Sequence, residues 1–278
     1  MQEQAKAAAF RNLHTGGEIL LLPNVWDVAS AHIIEEAGFK AVATSSAGVA
    51  FSLGYPDGQV ISHEEMLAAI ARIAKAVKVP VTADVESGYG ETAKDAALTA
   101  RAVIDAGAVG MNLEDVADAS TSALVELPLQ LEKIHAVREI AERVRVPLVL
   151  NARTDVYLLE IGEPAKRYDE TVLRLSAYRD AGADCVFAPG LSDAATIGRL
   201  VADLKCPVNI LAGPGSPSVP ELFKLGVARV SLGSAPTRAA LGQLRRVAEE
   251  LKASGTYSAL DGAPSYAEMN LMMKQSKG

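Results

Sequence analysis

Short apolar runs alternate with amphipathic segments along most of the chain. Apolar residues recur with a period of 3.6 in segments such as HEEMLAAIARIAKAV and AKDAALTARAVIDAG, which predicts helices between the runs. The runs themselves are almost continuously apolar, as is typical of parallel strands buried on both faces. The predicted strands are Ile19–Pro23, Ala41–Ser46, Val81–Glu86, Val109–Glu114, Leu148–Arg153, Cys185–Ala188, Val208–Ala212 and Arg229–Gly233.

This alternation predicts an α/β fold, either a closed barrel or an open doubly wound sheet. An open dinucleotide-binding sheet carries GxGxxG after its first strand, whereas this chain has PNVWDVAS there. We therefore expect a TIM-type (β/α)8 barrel that forms a single domain over residues 1–278. Segment 251–278 is expected to add a C-terminal helix, whose apolar side packs on a neighbouring helix or subunit and contains Met269, Leu271, Met272 and Met273.

Composition narrows the class of protein and its partners. The chain has 278 residues, is 49% hydrophobic and carries a formal net charge of −7. An acidic chain without a basic run does not favour nucleic acid or an anionic membrane as partner. Cys185 and Cys206 lack CxxC spacing, the N-terminus lacks the apolar core of a secretion signal, and no apolar stretch is long enough to cross a membrane. We expect a cytoplasmic protein with reduced thiols.

Charged residues follow several predicted strands at their C-terminal ends, where barrels of this type build their sites. Asp84 and Glu86 are two residues apart and therefore project to one face. Glu114 ends the next strand, Asp57 lies in the long connection after the second strand, and Arg153 ends the fifth. Carboxylates that converge without a nearby histidine are typical ligands of Mg²⁺ or Mn²⁺.

Other interpretations of these residues are less favoured. The acids could be ordinary solvated loop carboxylates, but several unpaired acids in apolar strands are costly to bury without a cation. No predicted strand ends in a lysine, which argues against Schiff-base chemistry. The loops Gly213–Ser216 and Leu232–Ser234 could bind a phosphate through backbone N–H groups, although such loops are also ordinary turns. A zinc site is not expected, because the histidines lie in the N-terminal segment or on predicted helices: His14, His32, His63 and His135.

Taken in order, the motifs at the strand ends resemble the isocitrate lyase/phosphoenolpyruvate mutase superfamily. The resemblance extends over roughly residues 10–250 and rests mainly on DVESGYG and the later LED. The motifs are SSAG at 45–48, LGYPD at 53–57, DVESGYG at 84–90, NLED at 112–115 and ARTD at 152–155. Members are (β/α)8 barrels, usually tetramers that exchange the C-terminal helix between subunits. They bind Mg²⁺ and act on small 2-oxo or 2-hydroxy carboxylates through an enolate.

The resemblance also implies roles for individual residues. Asp84 would bind Mg²⁺ directly, while Asp57, Glu86 and Glu114 would hold its water ligands. Arg153 would pair with a substrate carboxylate or with the developing enolate oxygen. We assign catalytic roles to Arg153, Asp57 and Glu114, and substrate binding to Ser45, Ser46, Ala47, Arg153 and Asn209, with Phe187 and Tyr157 as further candidates to line the site.

Two departures from the superfamily narrow the expected chemistry. Isocitrate and methylisocitrate lyases carry a K-K-C-G-H motif, whose cysteine is the acid–base residue, but residues 115–122 here read DVADASTS. The phosphonomutase branch has a lysine and an asparagine in its gating loop, and neither appears here. We expect Mg²⁺-dependent cleavage of a C–C bond in a small 2-oxo or 2-hydroxy di- or tricarboxylate, of the lyase, decarboxylase or oxaloacetate-hydrolase type. The alternative is a non-catalytic 2-oxo acid binding protein that keeps the metal site, and in either case a homo-oligomer, dimeric or tetrameric.

Overall fold

The computed structural model describes residues 2–15, 17–118 and 123–274, and its centre is a barrel of parallel strands. Each predicted strand is present, with ends within two residues of those expected. The strands are β1 (Leu20–Leu22), β2 (Asn24–Val25), β3 (Val42–Thr44), β4 (Val81–Asp84), β5 (Gly110–Glu114), β6 (Val116–Asp118), β7 (Ala123–Leu124), β8 (Val149–Arg153), β9 (Cys185–Phe187), β10 (Val208–Leu211) and β11 (Arg229–Ser231).

Nine strands form the main sheet, in the order β1-β11-β10-β9-β8-β5-β4-β3-β2, and all their pairings are parallel. Only Pro23 separates β1 from β2, and the two pair on opposite sides, β1 with β11 and β2 with β3. β1 and β2 therefore form one barrel strand that is interrupted at Pro23, because proline has no backbone N–H to donate to a neighbouring strand. This confirms the expected (β/α)8 barrel.

Helices surround the barrel and connect its strands. Most begin at a side-chain cap, as α5 does at the reciprocal Thr92–Asp95 capping box. The helices are α1 (Gln2–Leu13), α2 (Val28–Glu36), α3 (Ser46–Leu53), α4 (His63–Ala76), α5 (Ala93–Asp105), α6 (Leu127–Arg143), α7 (Pro164–Asp180), α8 (Ala194–Leu204), α9 (Val219–Lys224), α10 (Ala235–Ser254) and α11 (Tyr266–Lys274), with a 3₁₀ turn at Ser258–Leu260.

The predicted strand Ala41–Ser46 ends early because a helix begins there. The Ser45 side chain accepts a hydrogen bond from the Gly48 N–H at 3.1 Å and so caps α3. The expected long connection thus contains a helix, which its nearly uniform apolar sequence does not reveal by periodicity. The N-terminal helix α1 and the small β6–β7 hairpin were also not predicted.

Helix α1 covers the N-terminal end of the barrel. Phe10 is fully buried there, and a Cβ on Gly110 would lie 2.7 Å from its Cε1 atom, so the ring needs a glycine on β5. At the other end of the chain, α11 contacts α2 of the same chain. Helix exchange between subunits and the oligomeric state stay predictions. Within the described residues, every helix is too short or too polar to cross a membrane.

Replacing Phe10 by alanine tests this covering role. Phe10→Ala should lower the free energy of unfolding by about 3–5 kcal/mol, because it leaves a cavity under the barrel. The measurement is urea denaturation followed by circular dichroism. Phe223→Ala, at a site that is 50% exposed, is the matched control and should change stability by less than about 1 kcal/mol. Equal losses in the two variants would contradict the packing described for α1.

Candidate functional site

A cavity of about 510 Å³ opens at the C-terminal ends of the barrel strands. One part of its lining is charged and brings together Asp57, Glu86, Glu114, Arg153 and Asp155. Ser46, Gly58 and Gln59 also line the cavity, and the remaining lining is apolar: Val116, Ala117, Leu158 and Leu159. The cavity thus unites five of the residues singled out from the sequence: Ser46, Asp57, Glu86, Glu114 and Arg153.

Asp84 ends β4 beside this cavity and is held in one orientation. Its Oδ2 atom accepts hydrogen bonds from the Ser46 backbone N–H at 3.0 Å and the Ser46 hydroxyl at 2.9 Å. Its Oδ1 atom accepts from the Asn112 amide at 3.3 Å, across the register of β4 and β5. Since Ser46 begins α3, the helix N-terminus also favours the negative charge of Asp84.

The neighbouring acids are placed where they repel one another. Burial, followed by the charges of Asp57 and Asp84, raises the pKa of Glu86 to about 8. Partial burial and the charge of Asp84 likewise raise the pKa of Asp57. The buried Oε1 atom of Glu86 has no hydrogen-bond partner. The site therefore holds more negative charge than its own donors compensate.

Arg153 is the cation that faces these acids. Its Nη1 atom lies 2.8 Å from Glu114 Oε2, while Nε and Nη2 donate to the two oxygens of Asp155 at 2.5 and 2.7 Å. Burial lowers the pKa of Arg153, but Glu114 and Asp155 outweigh it and raise the pKa above its usual value. Burial also keeps the pKa of Glu114 well above its ordinary range, although Arg153 opposes this effect.

Asp155 is a site residue that the sequence analysis did not assign, although its position two residues after Arg153 in Arg-Thr-Asp could have indicated it. It is held in turn by Asp115, which is fully buried. Asp115 accepts from the Asp155 backbone N–H at 3.0 Å and the Thr154 hydroxyl at 2.7 Å. The Tyr178 hydroxyl donates to it at 2.6 Å, and Arg174 Nη1 lies 3.3 Å away. Asp115 therefore fixes the segment that aims Arg153.

Other predicted substrate-binding residues lie beside the cavity or behind it. Ser45 is occupied in capping α3, and Ala47 is buried in the first turn of that helix. Asn209 is fully buried and donates to the Ser231 hydroxyl at 3.1 Å. Phe187 lies under the Arg153 guanidinium, 5.7 Å from ring centroid to Cζ. Neither these residues nor Tyr157 belong to the described lining of the cavity, and their roles stay predictions.

The residues present fit a hard divalent cation. Across residues 2–15, 17–118 and 123–274, no three His, Cys, Asp or Glu side chains are arranged to coordinate one ion directly. The unpartnered Glu86 oxygen and the mutual repulsion of Asp57, Asp84 and Glu86 nevertheless mark a place where positive charge is lacking. Oxygen ligands of this kind suit Mg²⁺ or Mn²⁺. Which carboxylates bind directly and which bind through water stays a prediction.

Comparison with known proteins gives consistent matches along most of the chain. A family model described as phosphoenolpyruvate phosphomutase matches residues 10–252. An uncharacterized protein of Mycobacterium tuberculosis is 37% identical over 233 residues, 84% of either chain. An oxaloacetate decarboxylase of Ectopseudomonas mendocina is 30% identical over 246 residues, covering 84% of this chain and 80% of the decarboxylase.

Solved structures share the fold closely. A structure from Burkholderia cenocepacia J2315 has 39% identity and a TM-score of 0.91, covering 97% of this chain and 96% of that one. A 2,3-dimethylmalate lyase of the PEP mutase/isocitrate lyase superfamily has 27% identity and a TM-score of 0.84, with coverage of 96% and 94%. Phosphonopyruvate hydrolase, solved with oxalate and Mg²⁺, has 26% identity and a TM-score of 0.85, with coverage of 97% and 95%.

Two tyrosines allow the Asp115 contacts to be tested with the same substitution. Tyr178 is buried and donates to Asp115 at 2.6 Å, whereas Tyr168 donates to Asp203 at 2.7 Å on the surface. Tyr178→Phe should lower the free energy of unfolding by about 1–3 kcal/mol, because it removes a donor from a buried carboxylate. Tyr168→Phe should lower it by less than about 1 kcal/mol. Denaturant unfolding of both variants is the measurement, and similar losses would contradict the role given to burial.

Proposed function

Because the chain belongs to the isocitrate lyase/phosphoenolpyruvate mutase superfamily, we propose that it is a Mg²⁺-dependent enzyme that cleaves a C–C bond of a small 2-oxo or 2-hydroxy carboxylate. Its relatives include an oxaloacetate decarboxylase and a dimethylmalate lyase, which act on substrates of this class. The observation that carries the proposal is the cluster of carboxylates facing Arg153 in one cavity. Mn²⁺ is the expected alternative ion.

The donor set supports the metal. Asp84 would hold the ion, with Asp57, Glu86 and Glu114 placed around it to hold its water ligands. A related hydrolase binds Mg²⁺ together with oxalate, a small dicarboxylate anion. Mg²⁺ bound here would act as a Lewis acid toward the carbonyl and carboxylate of a 2-oxo acid. With the ion present, an anionic substrate can enter a site that is otherwise strongly negative.

Arg153 would stabilise the negative charge that develops on the substrate oxygen. Its direction is fixed by the two hydrogen bonds to Asp155, and its charge is secured by Glu114 and Asp155. A preoriented guanidinium gives strong, charge-assisted hydrogen bonds to an oxyanion. Glu114 lies 2.8 Å from Arg153 Nη1 in the same cavity, and burial raises its pKa. We assign proton transfer to this carboxyl group.

Decarboxylation is the type of cleavage that fits the site best. Loss of CO₂ from a carboxylate next to the enolate carbon leaves its electron pair on the substrate and needs no enzyme group to protonate the leaving molecule. Segment 115–122 has no cysteine or lysine for such a task, and Asp115 is engaged in its own contacts. The apolar side of the cavity, at Val116, Ala117, Leu158 and Leu159, also favours a neutral product over a carboxylate.

A non-catalytic 2-oxo acid binding protein is the second candidate. It is favoured by the same absence of cysteine and lysine in segment 115–122, because a chain that lost its proton-transfer group would still bind substrate. A binding protein and an enzyme would both bind Mg²⁺ and a 2-oxo acid, so only the formation of product distinguishes the two candidates.

The test is an NMR screen in the presence of Mg²⁺, with oxaloacetate, 2-methylisocitrate, isocitrate, dimethylmalate and phosphonopyruvate. We expect turnover of oxaloacetate or a close analogue, and its loss on addition of a chelator. Arg153→Ala should reduce kcat/KM by roughly 100–1000-fold. Asp84→Ala should abolish the response to Mg²⁺, whereas the exposed control Asp261→Ala should behave as wild type.

Full activity in the presence of a chelator would contradict the proposal. Tight calorimetric binding of oxaloacetate or 2-oxoglutarate, without any product across the screen, would instead establish the binding protein.

A further inference from the structure

The turn that follows Asp84 is built in an uncommon backbone conformation. Glu86 has a φ of +52° and Tyr89 a φ of +54°, with Gly88 at +95° between them. Residues with a Cβ rarely adopt this left-handed region, so the surrounding structure must hold them there. The Glu86 side chain points into the cavity from the first residue of this turn. Whatever fixes the turn therefore also fixes the direction of the Glu86 carboxylate.

A buried lysine holds the far side of the turn. Lys133 lies on α6 and is 1% exposed. Its ammonium group donates to the Gly90 carbonyl at 2.9 Å and to the Ser87 carbonyl at 3.3 Å. Burying an ammonium group is costly unless its hydrogen bonds are made, and both of these bonds go to the backbone of the turn. Lys133 thus connects α6 directly to the segment that carries Glu86.

The same helix also supports the next strand. Gln130, fully buried one turn before Lys133, donates its side-chain amide to the Glu114 carbonyl at 3.2 Å. Gln59 holds the turn from the opposite side, since it donates to the Ser87 hydroxyl at 2.6 Å and accepts from the Tyr89 N–H at 2.8 Å. The turn is therefore fixed between α6 and the loop that contains Asp57.

We propose that Lys133 is a positioning residue for metal binding: through the Ser87 and Gly90 carbonyls it fixes the turn that aims the Glu86 carboxylate into the cavity. This inference rests on the proposed function, in which Glu86 holds the ion's water ligands. Lys133 does not touch the cavity itself, as its contacts lie behind the turn. Removing its ammonium group would leave two carbonyls without their donor and allow the turn to relax to a commoner conformation.

The test is the affinity of the substrate-free protein for Mn²⁺, measured by electron paramagnetic resonance. Lys133→Met keeps the length of the side chain and removes its charge and donors. We expect its Mn²⁺ dissociation constant to rise by about 10–100-fold, as for other residues that orient metal ligands. Lys75→Met, on the exposed face of α4, is the matched control and should keep the wild-type value.

A double-mutant cycle with Glu86→Gln distinguishes a positioning role of Lys133 from a merely structural one. If Lys133 acts through Glu86, Lys133→Met should weaken Mn²⁺ binding much less in the Glu86→Gln background than in wild type. Fully additive effects would overturn the inference. Circular dichroism checks that each variant is folded. If Lys133→Met does not fold, Mn²⁺ binding is measured in Gln59→Leu instead. This substitution is at a partly exposed residue and removes the hydrogen bonds that hold the turn from the opposite side.

An unchanged dissociation constant in folded Lys133→Met, or in Gln59→Leu where that variant decides, would overturn the role of the turn while leaving the proposed metal site intact. Absence of Mn²⁺ and Mg²⁺ binding in the wild-type protein would overturn both.

Discussion

The carboxylates of Asp57, Asp84, Glu86 and Glu114 meet at one end of a barrel, and the surrounding structure is arranged around their mutual repulsion. The protein offsets part of it with the Arg153 guanidinium and with donors from the first turn of α3. These groups do not bind every carboxylate oxygen: Glu86 Oε1 is buried and has no hydrogen-bond partner. In the proposed function a divalent cation would supply the missing charge, and the site would be complete only when the ion is bound.

The rest of the barrel keeps these side chains from moving apart. Parallel strands place the ends of β4, β5 and β8 side by side, so acids distant in the sequence share one cavity. Behind the cavity, Asp115 holds the segment that aims Arg153, while Lys133 and Gln130 of α6 hold the backbone beside Glu86 and Glu114. The carboxylates stay close despite their repulsion because their backbone is fixed from outside the cavity.

Sequence periodicity predicted the α/β alternation because the parallel strands are apolar runs separated by amphipathic helices, and the absence of GxGxxG after the first strand favoured the barrel. The two-residue spacing of Asp84 and Glu86 predicted a shared direction, and the order of motifs predicted the superfamily. The contacts that orient the site could not be predicted in this way. Tyr178 donates to Asp115 across 63 residues and Lys133 to Ser87 across 46, and neither pair leaves a local pattern. Asn209 was assigned to substrate binding from its position on a strand, but that position did not reveal that its amide donates to Ser231.

Thermal unfolding of wild type and Glu86→Gln at pH 9, with and without Mg²⁺, tests the repulsion most directly. Glu86 has a pKa of about 8, raised above its unfolded value, so its contribution to stability falls as the pH rises from about 4.5 to 8 and stays low at pH 9. We expect metal-free Glu86→Gln to melt at a higher temperature than metal-free wild type, by about 2–4 °C for each kcal/mol of repulsion relieved. Mg²⁺ should raise the melting temperature of the wild type more than that of the variant. A lower melting temperature for metal-free Glu86→Gln than for metal-free wild type would contradict the repulsion described for Glu86. A wild-type melting temperature that does not change on addition of Mg²⁺ would contradict the metal site.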